Sequence, residues 1–380
     1  MAERQVNGST EPPAGTERRL VIAGAGGRDF HDFATVFRDD PGVRVVAFTA
    51  AQIPYIDQRV FPAVLAGPRY PDGIPIRPEA ELDELIAGER IDEVVLAYSD
   101  LSHGEVMHLA SRVLAAGAGF RLLAPARTIL SSRRPVVAVV AARTGAGKSP
   151  VSRRIGVLLR DGGARVALIR HPMPYGDLTR AGVQRFASLA DIDAAGVTLE
   201  EREEDEEPVR LGLVVYAGVD YRAVLDRAEA ECDVLVWDGG NNDTPFVAPD
   251  VTVCVLDALR PGHERTHHPG ETNLRMADVV VVNKVAGATG DAIARIEATA
   301  ADLAPGAPVV RCASPVTLDE GPSLAGRRVL VIEDGPTITH GGMASGAGAV
   351  AARRAGAAEL VDPRGVAVGS MAAVYTSHPH

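Results

Sequence analysis

Both lysines of this chain stand where a nucleotide-binding motif needs a lysine. Lys148 lies in the run ARTGAGKS at residues 142–149, and Lys284 follows Asn283 at the end of an apolar run. Every other basic side chain among the 39 Lys and Arg residues is an arginine. An ammonium group on a flexible stem binds phosphate as a point charge, whereas a guanidinium is a planar fork. The two lysines therefore indicate a P-loop nucleotide site.

The segments around Lys148 supply the context that a phosphate-binding loop requires. Such a loop follows a strand and opens a helix, because backbone N–H groups and the positive end of the helix dipole then face the anion. The apolar segment 136–142 predicts the strand and 149–159 predicts the helix. A chance Gly-rich turn is the alternative, and this context disfavours it. Ala142 takes the place of the first glycine in the standard pattern.

The P-loop assigns a nucleotide role to each of its residues. We expect Lys148 to reach the β- and γ-phosphates and Ser149 to bind Mg²⁺. The remaining cofactor-binding residues of the loop are Arg143, Thr144, Gly145, Ala146 and Gly147.

Two other predicted strands end in polar residues that suit a nucleotide site. Segment 234–238 (VLVWD) is a Walker B pattern, in which the carboxylate of Asp238 would hold Mg²⁺ directly or through water. The alternative is a buried strand that simply ends in Asp. Asn283 and Lys284 resemble the guanine-binding motif of GTPases, but Ala286 stands where those proteins use Asp to bond the base. The prediction therefore favours ATP over GTP, with the Lys284 stem packed on the purine.

Several clusters contain candidate substrate-binding residues. Arg260, His263 and Arg265 lie in the run 260–271 and predict an anionic-substrate pocket, with an ordinary solvated loop as the alternative and a metal site at His263 and His267 disfavoured. The run 333–343 places His340 to bind phosphate or move a proton, with a structural turn as the alternative. The other predicted substrate-binding residues are Arg28, Arg170, His171 and Glu264.

The first Gly-rich turn, at residues 24–29, resembles a dinucleotide-binding loop. Asp29 stands where the third glycine of that pattern belongs, so NAD binding is disfavoured. A substrate phosphate could lie on this turn beside Arg28. Asp177, in the segment 170–177, occupies the position of a switch loop and could contact Mg²⁺ or attacking water.

Short apolar strands alternate with helical patterns along most of the chain, which predicts an α/β fold with parallel sheets. We expect a disordered tail at 1–17 and an N-terminal Rossmann-like domain with a parallel sheet at 18–132. A doubly wound P-loop NTPase-type domain follows at 133–326, and a C-terminal lobe at 327–380 completes the site. The acidic run 200–207 predicts a solvated loop, with a mobile element near the nucleotide as the alternative.

The bulk properties of the chain restrict its partners. A net charge of −11 without a basic stripe argues against nucleic acid, and no apolar run approaches the roughly 18 residues that span a membrane. Cys232, Cys254 and Cys312 are isolated and predict buried core thiols in a reducing compartment. We expect a cytoplasmic homodimer that acts on a small phosphorylated acid.

Taken together, the motifs resemble the cyclic 2,3-diphosphoglycerate synthetase family, also described as predicted GTPases. The resemblance spans nearly the whole chain. The segments that carry it are GAGGRDFHDF, AFTAAQIP, AYSDLSH, RTGAGKS, RHPMPYGDL, VYAGVDY, WDGGNNDTPF, RPGHE, PGETNLRMADVVVVNKV and EDGPTITHGGM. The chain departs from the pattern at Ala286 and at Pro150, which follows the P-loop serine directly.

The resemblance implies a reaction in which ATP·Mg²⁺ phosphorylates one phosphate of 2,3-diphosphoglycerate. The neighbouring phosphate then attacks the new anhydride and expels inorganic phosphate, which closes a cyclic pyrophosphate. The residues assigned to catalysis are Lys148, Asp238, His263 and His340. A regulatory or maturation NTPase that acts on a protein partner, and a nucleotide sensor without turnover, are the alternatives.

Overall fold

The computed structural model describes residues 17–51, 59–171, 178–179, 182–333, 343 and 345–377. The chain forms two compact units. Unit 1 runs from Met1 to Val139 and from Ser152 to Val251, and unit 2 runs from Val140 to Val151 and from Thr252 to His380.

Unit 1 begins with a six-stranded sheet. Its strands are β1 (Arg18–Ala23), β2 (Val43–Ala50), β3 (Val60–Phe61), β4 (Ile74–Pro78), β5 (Glu93–Leu96) and β7 (Gly119–Leu122), with β6 (Leu101–Ser102) outside the sheet. The spatial order is β3-β4-β2-β1-β5-β7, and every pair is parallel except β3 with β4. The helices of this region are α1 (Arg28–Asp32), followed by a π-helical turn at Phe33–Phe37, α2 (Ala63–Ala66), α3 (Leu82–Glu89) and α4 (His103–Ala115).

Strand β1 shows why this sheet is covered on both faces. Leu20 and Ile22 belong to one core cluster, and Val21 and Ala23 belong to another. Successive side chains of a strand point to opposite faces, so apolar residues at every position bury both sides of the sheet. Burial on both faces of the sheet thus explains why β1 is apolar at every position from Leu20 to Ala23.

The second sheet of unit 1 includes strand β8 (Val136–Ala141). Its other strands are β9 (Val166–Arg170), β10 (Gln184–Phe186), β11 (Val214–Ala217) and β12 (Val234–Gly239), in the order β10-β11-β9-β12-β8. All of these pairs are parallel except β10 with β11. The helices are α5 (Lys148–Asp161), α6 (Leu189–Ala195), α7 (Leu199–Arg210) and α8 (Tyr221–Glu231).

Unit 2 contains the end of β8 and the strands that follow it. These are β13 (Val251–Asp257), β14 (His267–His268), β15 (Val279–Asn283) and β16 (Val309–Arg311). The order is β8-β13-β15-β16, and β15 is parallel to both of its neighbours. The helices are α9 (Gly270–Arg275) and α10 (Gly290–Leu303), and a later part holds the paired strands β17 (Arg328–Val329) and β18 (Glu359–Leu360) with helices Ala347–Arg354 and Ser370–Ser377.

The predicted α/β class with parallel sheets is confirmed, but the loop predicted for the acidic run 200–207 is wrong, because this run lies in helix α7. The Thr198 side chain accepts a hydrogen bond from the Glu201 backbone N–H, and the Glu201 carboxylate accepts one from the Thr198 N–H at 2.8 Å. This capping box satisfies the free N–H groups at the start of the helix. An ion pair of 2.8 Å between Arg202 and Glu206, one turn apart, offsets repulsion among the carboxylates.

Two of the three cysteines fit the prediction of buried core thiols. Cys232 and Cys254 are buried, Cys312 is half-buried, and all three are free thiols. Burial raises the pKa of Cys232 to about 11, so its thiol stays protonated. Within the described part of the chain, every helix is too short or too polar to cross a membrane.

Candidate functional site

The turn between β8 and α5 has the backbone geometry of a phosphate-binding loop. Gly145 and Gly147 adopt φ angles of 77° and 100°, in the left-handed region that glycine enters without strain. The Ala146 N–H bonds the Arg143 carbonyl at 3.2 Å and closes the turn. Helix α5 begins at Lys148, a buried residue. The predicted strand, Gly-rich turn and helix are therefore present, and they fit a phosphate group.

Pro150 lies in the first turn of α5. An N–H in that turn has no partner inside the helix, so proline is tolerated there. Its missing N–H leaves the loop with one donor fewer for a phosphate.

The backbone of Ala142 is closely packed at the entry to the P-loop. The Ala142 N–H bonds the Val255 carbonyl at 3.0 Å. The backbone of Gly270 comes so close that a Cβ on it would lie 2.0 Å from the Ala142 carbonyl oxygen. The Asn273 amide also donates to the Ala141 carbonyl at 3.1 Å. Helix α9 thus fixes the entry to the P-loop.

Asn283 and Lys284, at the end of β15, brace the P-loop backbone. The Asn283 amide donates to the Ala146 carbonyl at 2.9 Å, and it would lie 2.1 Å from a Cβ placed on Gly147. Lys284 Nζ donates to the Gly145 carbonyl at 2.6 Å. The side chains are thus oriented towards the loop, and their predicted role at the purine stays a prediction.

Asp257, at the end of β13, joins Lys284 to the cluster at 260–271. Its Oδ2 lies 2.9 Å from Lys284 Nζ and 2.9 Å from Arg260 Nε. The other end of the Arg260 guanidinium donates to the Thr144 carbonyl at 2.7 Å. One buried carboxylate thereby connects two cations that hold successive carbonyls of the P-loop. Sequence reasoning missed Asp257, although an apolar strand that ends in Asp is the same signal that identified Asp238.

Arg143, the second residue of the P-loop run, contacts two histidines of unit 2. Its Nη1 lies 2.8 Å from His263 Nδ1 and 2.7 Å from His267 Nε2. The two imidazole rings stack, with centroids 4.8 Å apart and planes 15° apart. Burial, followed by the charges of Arg143 and Arg260, lowers the pKa of His263. Glu264, the other predicted binding residue here, is buried and accepts the Gly262 N–H at 2.8 Å.

Asp238 lies in unit 1, near the end of β12, and is fully buried. Its Oδ1 accepts a hydrogen bond of 2.6 Å from Ser152 of helix α5, and its Oδ2 lies 3.9 Å from Arg170 Nε. A buried carboxylate held between a hydroxyl and a guanidinium is a hard oxygen donor suited to Mg²⁺.

Arg170 is surrounded by carboxylates of unit 1. It pairs with Glu204 of α7 and lies 3.9 Å from both Asp205 and Asp238. Burial lowers the pKa of Arg170, but the three carboxylates outweigh it and raise the pKa overall. Burial raises the pKa of Asp205 to about 7, against the opposing charge of Arg170. The acidic helix thus neutralises a buried arginine, and the substrate role of Arg170 stays a prediction.

The first Gly-rich turn of unit 1 is filled by its own aspartate. The Asp29 carboxylate accepts the N–H groups of Gly26 at 2.8 Å, Gly27 at 3.0 Å and Phe30 at 2.7 Å. His171 packs so closely that a Cβ on Gly27 would lie 1.2 Å from its Nε2. The turn therefore already carries a carboxylate where the sequence left room for a phosphate.

Arg28, beside that turn, lies between two aspartates of unit 1. Its guanidinium is 3.3 Å from Asp32 and 3.9 Å from Asp243, and it donates to the Thr244 carbonyl at 2.9 Å. Burial raises the pKa of Asp32 to about 7, and the charge of Arg28 opposes this shift. The predicted role of Arg28 in substrate binding remains a prediction.

The structure brings most of the predicted P-loop residues of unit 2 together with Asn283, Lys284, Arg260 and His263. It also shows two residues of that unit that the sequence did not single out, Asp257 and Asn273, and it places His267, which the sequence suggested only as a metal ligand, against Arg143. His340 and Asp177 lie outside the described residues. Within the described residues, no set of three His, Cys, Asp or Glu side chains converges as a metal-ligand group.

The fold and this loop define an α/β protein of the P-loop class. Its structural likenesses are distant. They include LpxK from Aquifex aeolicus in complex with ATP (TM-score 0.32, 20% identity, 40% of this chain and 49% of that chain), the hydrogenase maturation factor HypB from Archaeoglobus fulgidus (0.30, 19%, 55% and 89%) and a ParA family ATPase from Chlorobium tepidum (0.26, 15%, 47% and 83%).

The amino-acid sequence gives a far stronger match. The chain is 54% identical over 364 residues to the arginine synthetase ArcE of Thermococcus kodakarensis. The aligned region covers 96% of this chain and 81% of that protein. The chain therefore belongs to the family of this arginine synthetase. No protein-family model matches the chain. The relative's name differs from that of the cyclic 2,3-diphosphoglycerate synthetase family, whose activity stays a prediction.

Proposed function

We propose that this protein is an ATP-dependent synthetase that forms arginine or a closely similar guanidino compound. The observation that carries the proposal is a P-loop, braced by Lys284 and Asn283, in a chain 54% identical to an arginine synthetase. A loop of this kind delivers a phosphoryl group, and a synthetase couples such a transfer to the formation of a bond.

A phosphoryl donor suits the synthesis of a guanidinium from a ureido group. The ureido oxygen is a poor leaving group until it attacks the γ-phosphorus of ATP and releases ADP. Ammonia then attacks the ureido carbon, inorganic phosphate leaves with that oxygen, and the guanidinium forms. Lys148 would neutralise the charge that develops on the transferring phosphoryl group. Ser149 is the side chain of this loop that we assign to Mg²⁺, which supplies further charge neutralisation when bound, and the Mg²⁺ role of Asp238 in unit 1 stays a prediction.

The charges of the predicted substrate arginines favour this substrate class over a polyanion. Within unit 1, Arg28 lies against Asp32 and Asp243, and Arg170 lies against Glu204 and two aspartates. Within unit 2, Arg260 pairs with Asp257. In unit 1, opposite charges nearby offset each guanidinium, so Arg28 and Arg170 offer little net positive charge to a substrate with several phosphates. In unit 2, Asp257 is shared by Arg260 and Lys284.

The second candidate is the formation of a cyclic phosphoanhydride from 2,3-diphosphoglycerate. The motif resemblance that spans the chain favours it, since WDGGNNDTPF and PGETNLRMADVVVVNKV contain Asp238 and Asn283–Lys284. A regulatory NTPase that acts on a protein is the remaining alternative.

One assay separates these candidates. ADP release is measured with ATP·Mg²⁺ alone, with a ureido amino acid and ammonium, and with 2,3-diphosphoglycerate, and the products are identified by mass spectrometry. We expect stimulation and a guanidino product only in the second mixture. Stimulation by 2,3-diphosphoglycerate supports the cyclic product, and slow substrate-independent turnover supports the regulatory NTPase.

The lysine of the P-loop provides the matched variant for this assay. Lys148→Ala is expected to lower turnover by about 10²- to 10³-fold, because a preorganised charge at the transferring group is lost. Arg364→Ala, in an exposed segment next to Asp362, serves as the control and is expected to keep full activity. Full activity of Lys148→Ala would contradict the proposal.

A further inference from the structure

We propose that His263 and His267 are positioning residues that hold Arg143 as a phosphate-binding cation of the P-loop. We name this arrangement the imidazole clamp. The inference rests on the proposed phosphoryl transfer for its purpose, but the clamp itself is defined by contacts within unit 2.

The geometry of the clamp requires both imidazoles to act as acceptors. Arginine has no acceptor, and its Nη1 carries two N–H bonds. One bond is directed to His263 Nδ1 at 2.8 Å and the other to His267 Nε2 at 2.7 Å. Each of these ring nitrogens must therefore carry a lone pair, so both rings are neutral.

The surroundings of His267 support the tautomer that the clamp needs. Its Nδ1 lies 3.0 Å from Thr266 Oγ1 and 3.4 Å from the His263 carbonyl oxygen. A carbonyl can only accept, so the proton of His267 belongs on Nδ1 and the lone pair on Nε2. The hydrogen bond to one nitrogen thus selects the acceptor on the other.

The charges around His263 keep that ring neutral. Burial and the positive charges of Arg143 and Arg260 lower its pKa, and Glu264 and Asp257 oppose them. A neutral imidazole accepts from a guanidinium without cancelling its charge, unlike the carboxylate of Asp257 on Arg260. The clamp can therefore fix a buried guanidinium without adding a counter-charge of its own.

Arg143 lies in the P-loop turn itself. Its backbone carbonyl accepts the Ala146 N–H and so forms part of the P-loop turn. The side chain therefore extends from the loop that receives phosphate in the proposed function. Without the clamp, the long side chain must order itself during the reaction, which costs rotamer entropy.

The first experiment tests the clamp independently of turnover. Nitrogen chemical shifts of ¹⁵N-labelled histidine report tautomers, with single substitutions used for assignment. We expect His263 protonated on Nε2, His267 protonated on Nδ1, and a pKa of His263 below that of a free histidine. In Arg143→Leu both signals are expected to move. Charged rings at neutral pH, the opposite tautomers, or signals unchanged in Arg143→Leu would overturn the clamp.

The second experiment tests the positioning role by amide replacement. His263→Asn and His267→Gln put an amide oxygen near the replaced ring acceptor, whereas His263→Leu and His267→Leu remove it. We expect each Leu variant to lower kcat by about 10- to 100-fold, while the Asn and Gln variants stay within about threefold of the native protein. The Kd of ATP is expected to change by less than about threefold in all four variants, because the lysine and backbone of the P-loop remain.

The pH profile adds a readout that a merely structural role leaves unchanged. Protonation of His263 destroys its acceptor, so native kcat is expected to fall below the lowered pKa of that ring. In His263→Asn this acidic fall is expected to disappear, since an amide does not titrate. Leu variants with native kcat, or amide variants as impaired as the Leu variants, would overturn the positioning role. A native protein without turnover would instead refute the proposed function, while the nitrogen shifts still decide the clamp.

Discussion

At the residue scale, Asp29 shows how one side chain changes the use of a Gly-rich turn. Its carboxylate accepts three backbone N–H groups of the turn at 2.7–3.0 Å. These donors are the groups that would otherwise face a dinucleotide phosphate. An internal carboxyl group thus occupies a place that the glycine pattern alone would assign to a ligand, and Asp29, which departs from that pattern, was the informative residue.

Gly147 carries two constraints that a pair of variants can separate. Its φ of 100° is strained for any residue with a Cβ, and a Cβ would also lie 2.1 Å from the Asn283 amide. We expect Gly147→Ala to displace Asn283 and lower the affinity for ATP at least about tenfold, since each 1.4 kcal/mol of lost interaction weakens binding by that factor. Isothermal titration calorimetry measures the change.

The matched control for this prediction is Gly163→Ala. Gly163 has a similar φ of 94°, but its Cβ would meet no heavy atom within 4 Å. This variant carries the backbone strain alone, which costs about 1 kcal/mol of stability, and it is expected to bind ATP normally. Equal effects of the two variants on ATP affinity would show that contact with Asn283 has no part in the site.

At the element scale, helix α7 connects the acidic run to buried Arg170 and makes stability depend on pH. Burial raises the pKa of Asp205 from 3.8 to about 7. Between these values the folded protein keeps a proton that the unfolded chain has lost, so stability falls as pH rises from about 4 to 7. Asp205→Asn stays neutral, and its excess stability over the native protein is expected to grow across this window by on the order of 1–4 kcal/mol. Urea unfolding at several pH values measures it.

Asp233 supplies a control of opposite sign. Hydrogen bonds from Arg165 lower the pKa of this exposed carboxylate from 3.8 to about 2, so its contribution is present above pH 3.8 and is lost as pH falls towards 2. The difference between Asp233→Asn and the native protein is therefore expected to stay flat from pH 4 to 7. A flat difference for Asp205→Asn as well would contradict the assigned role of burial.

The elements of the site differ in how far the sequence could predict them. The strand, Gly-rich turn and helix around Lys148 follow from local pattern, because each depends on neighbouring residues. The contacts of Arg143 with His267 and of Lys284 with Gly145 join residues 124 and 139 positions apart. Such contacts depend on which strand ends lie next to each other in the folded sheet, and the order of the strands cannot be read from a single sequence. Helix α7 was missed because the run of carboxylates suggested a solvated loop, and the capping box at Thr198 and the ion pair between Arg202 and Glu206 were not recognised.

At the scale of the whole molecule, lysine and arginine side chains have different structural roles. Arginines form most of the ion pairs in the described part of the chain, as Arg165 does with Asp233 at 2.6 Å. Lys284 instead places one compact ammonium between the Gly145 carbonyl and Asp257, at 2.6 and 2.9 Å. A planar guanidinium matches a flat carboxylate, and a compact ammonium can lie between two separate oxygen acceptors. The predicted homodimer remains a prediction, which light scattering on the purified protein tests.

Ligand binding should change the stability of the molecule if the P-loop holds ATP·Mg²⁺. A ligand that binds only the folded state stabilises it by RT ln(1 + [L]/Kd), which is about 2.7 kcal/mol at a hundredfold excess over Kd. We expect ATP with Mg²⁺ to raise Tm in a concentration-dependent manner, as measured by calorimetry. Lys148→Ala is expected to abolish the rise, and Asp238→Asn to remove the part that depends on Mg²⁺. Because binding energy enters the folding equilibrium whether or not turnover follows, a Tm unaffected by ATP would leave the loop without its ligand, and a rise retained in Lys148→Ala would place the nucleotide elsewhere.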